Sequence, residues 1–506
     1  MTLTPWLFEA LTTLLIGFSG IGLGVLVGWR HPLLLASMAI LVSATIRVVT
    51  VFGVWTFGVF SWQTESWWIV SIIVAVFGGV AGIIRARREY LQSLGLFAAL
   101  GTLSLMVKYV FQVGERHHRD SSSTVETALL IFQNELDPTL WGPEEKRGLA
   151  YPLMLALGPD PRMLSVLTPL IFFSLLAISW WVARGFLRDR IPLRWQVTAG
   201  IVVLGFSVTV PIFRVAITYL NSHTLMALAL IAMAGAHLVA ERDGKVSLPT
   251  AAMMVAGSLI GSTARVEGIV FVAVVLALIV SGQSVRTANG RGGVFLAVTV
   301  SGTSLSLWLH LIGSSVPDDF GVPLWLVALG TVLAATLVVM PLLDRIRWVF
   351  FPLAGTIIAV FIIRVALAAD NPLTPFMGLF NNVVRGYGGW GVAALALAAS
   401  LVLLGWRAHS TEYRKLAALL VVLIFSALFA KLFDGGGFGG GFGRDSFYDS
   451  ANRMWLHTLG VAMSAMVLGF AEFLDTWSKQ RASRRLGKDS ADYTANTAHM
   501  SKDSQS

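Results

Sequence analysis

Residues 10 to 29 hold no charged side chain, and stretches like this one recur along almost the whole chain. A helix needs about 20 apolar residues to cross roughly 30 Å of hydrocarbon. Runs of that kind fall near 10–29, 33–60, 66–84, 91–113, 163–184, 195–213, 222–240, 293–314, 322–343, 348–368, 390–406, 416–433 and 454–474. A further stretch, 248–281, is interrupted by Arg265 and Glu267 and reads as two helices meeting in a turn. The runs are continuous rather than alternating, and in lipid only helices and closed barrels satisfy their own backbone polar groups. The expectation is an all-α polytopic membrane protein of about 13 to 15 transmembrane helices. At 56% hydrophobic and 13% charged residues, the 506-residue chain has too little charge to cover a soluble globule.

The spans make orientation testable, because cytoplasmic loops retain an excess of Lys and Arg. Arg30, the Arg85–Arg87–Arg88 group, Arg184 to Arg194, Arg242 with Lys245, Arg286 with Arg291, Arg345 with Arg347, and Arg407 to Lys415 all fall on one side. With the basic tail, that side holds most of the 37 Lys and Arg residues. This predicts an outer N-terminus, a cytoplasmic C-terminus and a retained first span. The net charge of +9 is then largely an orientation signal, and the tail is placed to touch anionic lipid heads. Basic residues scattered over loops, with no stacking or groove-reading motif, argue against nucleic acid as a partner. The absence of cysteine excludes disulfides, thiolate nucleophiles and thiolate metal sites.

In this topology the first large outer loop is 114–149. Ser123 followed by Glu126 has the form of a capping box, and Val125, Leu129, Phe132 and Leu136 then repeat at helical spacing. That pattern predicts an amphipathic helix on the outer membrane surface. Asp120 comes just before its expected start, where the helix dipole and Arg119 favour an ionised carboxylate able to act as a general base. Asp137, Glu144 and Glu145 are alternatives for that role. His117 and His118 are adjacent and splay apart, so the spacing does not predict a metal pair. A divalent cation shared by Asp120 and a phosphate is compatible with the chemistry but not demanded by it. The glycine-rich run at 434–453 lacks the strand, helix and Lys-Ser/Thr ending of a nucleotide loop, and reads instead as a flexible outer segment leading to Arg444 and Arg453.

Three stretches in order, the outer loop with Asp120 and Tyr151-Pro152-Leu153, residues 211–242, and residues 257–273 with Arg265-Val266-Glu267-Gly268, resemble the GT-C superfamily of polyprenyl-phosphate-sugar glycosyltransferases. The resemblance covers roughly 91–281 and, loosely, the C-terminal region, where residues 450–466 place Arg453 at the outer start of a late helix. It implies transfer of a sugar, with inversion, from a polyprenyl-phosphate carrier to a cell-envelope glycan, lipid or protein acceptor on the outer face of a bacterial plasma membrane. It also implies Asp120 as the base and His223, Arg265, Glu267 and Arg453 as substrate-binding residues. Lys108, Arg214, Arg385 and Arg444 are further basic residues near the outer surface, and stabilising charge on a leaving phosphate calls for such cations. Arg47 and Arg364 lie deeper and outside the matching motifs, and pairing between helices accounts for both. The chain divides on this reading into a three-helix extension (1–90), a GT-C-like core (91–281), C-terminal spans (282–474) and a disordered basic tail (475–506). The alternative is a multi-pass transporter or lipid-linked sugar flippase, which also needs many spans and intramembrane charge.

Overall fold

The computed structural model describes residues 5–56, 64–113, 119–133, 148–157, 161–220, 222–265, 268–313, 410–433 and 455–503, with isolated positions between 356 and 404. Every element among these residues is helical. Among the described residues, six helices are long and apolar enough to cross a membrane. The protein is an all-α polytopic membrane protein. Expected spans at 322–343 and 348–368, and most of 390–406, lie outside the described residues.

The first helices are α1 (Pro5–Val27), α2 (Pro32–Thr56) and α3 (Thr64–Phe111). Two separate spans are expected over 66–113, and α3 supplies both by breaking at Ala86 (φ −159°, ψ 58°). Tyr90 and Gly82, eight positions apart, would be about 12 Å apart in a straight helix. The Tyr90 ring instead lies against Gly82, so the chain doubles back. α1 runs along both limbs, meeting Gly78 at Gly22, Phe97 at Gly17 and Lys108 at Glu9. Each successive contact lies farther from the bend at Ala86, as antiparallel limbs require.

The loop-end helix α4 (Arg119–Phe132) is followed by the short α5 (Ala150–Leu155) and a 3-10 turn at Pro161–Leu164. α4 starts four residues before Ser123, so Ser123 lies inside the helix rather than capping it. Its inward stripe is Val125, Thr127, Ala128 and Ile131. That stripe faces α5 and the 3-10 turn, so the helix docks on protein rather than lying free on the membrane surface.

The central helices are α6 (Leu167–Leu187), α7 (Leu193–Thr209), the short α8 (Pro211–Thr218), α9 (His223–Asp243), α10 (Leu248–Ala264), α11 (Gly268–Val280) and α12 (Ala288–Gly313). α9 is the axis of the bundle, and nearly all its residues from His223 to Ala240 are buried. A helix apolar around its whole circumference belongs in such a position. α13 (Thr411–Phe433) and α14 (Leu459–Asp503) complete the described part. α1 and α2 share one hydrophobic core with the central helices. The tail, expected to be disordered, continues α14 as helix to Asp503. Where the tail begins, Lys479 pairs with the buried Asp475 at 2.7 Å and i,i+4 spacing.

Loop charges gather at one end of the bundle. There Arg190 forks onto Glu412 at 3.1 and 3.3 Å, and Lys415 reaches Glu241 at 3.4 Å. Glu241 also accepts the Ser284 backbone N–H at 2.8 Å. We term this the basic end; the opposite end, with α4 and α5, is the loop end.

Candidate functional site

The interruption at Arg265 is a real break. Arg265 closes α10 in an extended conformation (φ −154°, ψ 153°), and the Gly268 N–H returns to the Arg265 carbonyl at 3.0 Å. Glycine is required at 268 by contact, because a Cβ there would overlap the Gly261 carbonyl. The end of the first large loop is stitched to the same place. Leu149 N–H donates to the Thr263 carbonyl at 3.0 Å, and a Cβ on Gly148 would come within 2.5 Å of the Ala264 carbonyl.

Beside this break stands a pair of buried imidazoles. His223 opens α9, and His457 lies in the 3-10 turn Trp455–Thr458 that leads into α14. His223 Nδ1 and His457 Nε2 are 2.7 Å apart, so one must donate to the other. The rings stack with centroids 4.8 Å apart at 28°, and Phe271 of α11 abuts His457 edge-on at 5.0 Å and 88°. His223 is 2% exposed and His457 0%. Arg265 lies close enough for its charge to act on His457. Nδ1 of His457 meets no hydrogen-bond partner among the described residues. Leaving a buried polar atom unsatisfied costs about 1 to 3 kcal/mol. Two imidazoles sharing a proton, one with a spare ring nitrogen and a guanidinium nearby, can take or give a proton and stabilise developing negative charge.

Two of the expected substrate residues, His223 and Arg265, are therefore brought together. His457 was not foreseen. Its only signal in the sequence is a histidine at the apolar start of a late span, a placement that marks functional positions in membrane proteins.

Lys108 is placed differently. Its ammonium is paired with Glu9 of α1, whose side chain is 1% exposed, and also donates to the Met163 carbonyl at 3.1 Å. Tyr109 Oη adds a contact to Glu9 at 3.4 Å. The group ties α1, α3 and the 3-10 turn together at the loop end. Arg47 is buried and donates to the Ser43 carbonyl at 3.0 Å and to Ser71 Oγ at 3.2 Å, joining α2 to α3 without a carboxylate among the described residues. Interhelical bonding is thus present, through hydroxyls rather than an ion pair.

Asp120 falls in the first turn of α4, one residue inside the helix instead of ahead of it, and its backbone still lies at the positive end of the helix dipole. Arg214 lies on α8. The side chains of Asp120 and Arg214, and Glu267, Arg385, Arg444 and Arg453 entirely, lie outside the described residues, as do Asp137, Glu144, Glu145, His117, His118 and Arg364. Tyr151 of the Tyr-Pro-Leu segment is fully buried and its hydroxyl meets Thr168 Oγ1 at 2.5 Å. Burial pushes that phenol up from its ordinary value, so it stays neutral and serves as a hydrogen-bonding core residue. Among the described residues no group of three or more His, Asp or Glu side chains is arranged to hold a metal.

No family model, curated protein or solved structure matches the chain.

Proposed function

We propose that the protein is a GT-C-like membrane glycosyltransferase. It transfers a sugar, with inversion, from a polyprenyl-phosphate carrier to an envelope acceptor at the loop end, which faces the cell exterior. The observation that carries this reading is the convergence of His223, His457 and Arg265 beside the anchored end of the first large loop. Arg265 is suited to the departing phosphate, with Arg453, four residues before His457 in sequence, as a second cation. Asp120 is the proposed base on the acceptor hydroxyl. The imidazole pair would carry the proton onward or hold the carrier phosphate by hydrogen bonding. No divalent cation is assigned.

One feature favours a second reading, a lipid-linked sugar flippase or other transporter. The α10–α11 break puts an extended backbone and a charged residue between two apolar helices, as discontinuous transporter helices do. Purified protein in liposomes, given radiolabelled polyprenyl-phosphate sugars and candidate acceptors, separates the two. Sugar transfer by the parent, reduced about a hundredfold or more in Asp120→Asn and Arg265→Gln variants that still fold, supports the enzyme. Movement of the intact lipid-linked sugar across the bilayer without release of its sugar rejects it.

A further inference from the structure

A second site lies at the basic end, remote from the imidazole pair. A cavity of about 520 Å³ opens between the start of α2, the last turns of α6, the turn after it and the end of α9. That volume is within the range of small-molecule sites, roughly 300 to 1,000 Å³. Its cationic lining is Arg184, Arg188, Arg190 and Arg242, against one lining carboxylate, Asp189.

The arginines divide into two kinds. Arg190 is committed to Glu412 through two contacts, and Arg242 to Asp243 and the Gly185 carbonyl, each at 3.0 Å. Arg242 also sits over the Phe186 ring, 5.6 Å from its centroid. The guanidiniums of Arg184 and Arg188 have no hydrogen bond or ion pair among the described residues, and Asp189 pairs with neither. Their charges nevertheless bear on one spot, since both act on His31 across the cavity. Trp181, edge-on to His31 at 6.4 Å, supplies an aromatic wall. Two uncommitted guanidiniums at the mouth of a concavity, backed by an aromatic ring that favours the membrane–water boundary, are complementary to a phosphate ester. Arginines that serve only to orient a chain need no cavity; Arg87 and Arg88 at the bend of α3 are simply exposed.

We infer that this cavity binds a phosphate mono- or diester, held by Arg184 and Arg188, with Arg242 and Trp181 forming its walls. The phosphate has two possible sources, an anionic lipid headgroup of the adjoining leaflet or a soluble phosphate. The inference is independent of the reaction proposed at the loop end.

Native mass spectrometry of the full chain tests it, in detergent carrying equimolar phosphatidylglycerol and phosphatidylcholine, and separately with inorganic phosphate. Retention of phosphatidylglycerol over phosphatidylcholine should fall about tenfold in Arg184→Gln/Arg188→Gln. It should be unchanged in Arg87→Gln/Arg88→Gln, which removes the same charge elsewhere at that end. A lysine pair at 184 and 188 keeps charge and guards against a folding artefact; it should lose part of the preference because lysine lacks the planar fork. Inorganic phosphate retained by the parent and lost by the glutamine pair points instead to a soluble source and also supports the site. Equal binding of both probes by parent and glutamine pair, or an equal loss in the Arg87/Arg88 control, overturns it.

Discussion

Glu9 and Lys108 neutralise each other across 99 positions of sequence, and neither has access to enough water to stand alone. Breaking a buried pair from one side leaves an uncompensated charge, a cost of about 3 to 5 kcal/mol, whereas replacing both partners by groups of similar shape is often nearly neutral. Lys108→Met should therefore lower the thermal midpoint of the purified protein sharply, and Glu9→Gln/Lys108→Met should recover most of it. Failure of the double variant to recover would show that the pair is not the source of the loss. His31 offers a second test. Partial desolvation, then the charges of Arg184 and Arg188, hold its pKa below the ordinary 6.5. The unfolded chain then binds more protons than the folded one in the window below 6.5, so stability is lost as pH falls through it. His31→Gln should flatten the thermal midpoint between pH 6.5 and the lowered folded value, while leaving it unchanged above about pH 7. At this scale Arg265 and His223 were readable, because a charge or a histidine beside an apolar run stands out locally. His457 was not, since its partner lies 234 positions away.

Helix contacts depend on small residues where backbones approach. A Cβ at Gly22 would collide with the backbone of Gly78, so α1 and the first limb of α3 lie nearly in backbone contact. Gly22→Val should force them apart and cost about 1 to 3 kcal/mol, the usual penalty of overpacking. At Gly95, on the second limb, an alanine methyl would meet no atom of the described residues within 4 Å. Gly95→Ala should therefore be neutral or stabilise by up to about 1 kcal/mol through helix propensity. Parallel thermal melts in one detergent check both; a Gly95→Ala loss as large as that of Gly22→Val would count against close packing as the cause. Among the described residues, the six helices long and apolar enough to cross a membrane fall on runs marked by hydropathy, and the α10–α11 turn was legible from Arg265 and Glu267. The ends were less so. Ser123-to-Glu126 fits a capping box, yet α4 begins at Arg119, and Ser123 sits inside it with its carbonyl accepting from Thr127 Oγ1 at 2.8 Å. The composition of the tail suggested disorder, but Lys, Arg, Gln and Ala are also good helix formers and carry α14 onward.

For the molecule as a whole, the natural lack of cysteine makes sidedness directly measurable. Gln133, just after α4, and Asp243, at the end of α9, are exposed at opposite ends of the bundle. In the proposed topology Gln133→Cys reacts with a membrane-impermeant maleimide on intact cells, and Asp243→Cys reacts only after permeabilisation. The reverse pattern would place the imidazole site and the first large loop on the cytoplasmic side and end the proposal of outer-face transfer. Length and hydropathy alone determined that the chain is helical and crosses a bilayer many times, because lipid leaves a backbone only helices and closed barrels to satisfy its polar groups, and the apolar runs are continuous rather than alternating. Tertiary structure decided which of the scattered polar residues act together. Lys108 is drawn to Glu9, Arg47 to two serines, and His223 to His457 beside Arg265. Such pairings form where low dielectric makes an unsatisfied group costly, and they depend on which helices meet, something one-dimensional patterning does not encode.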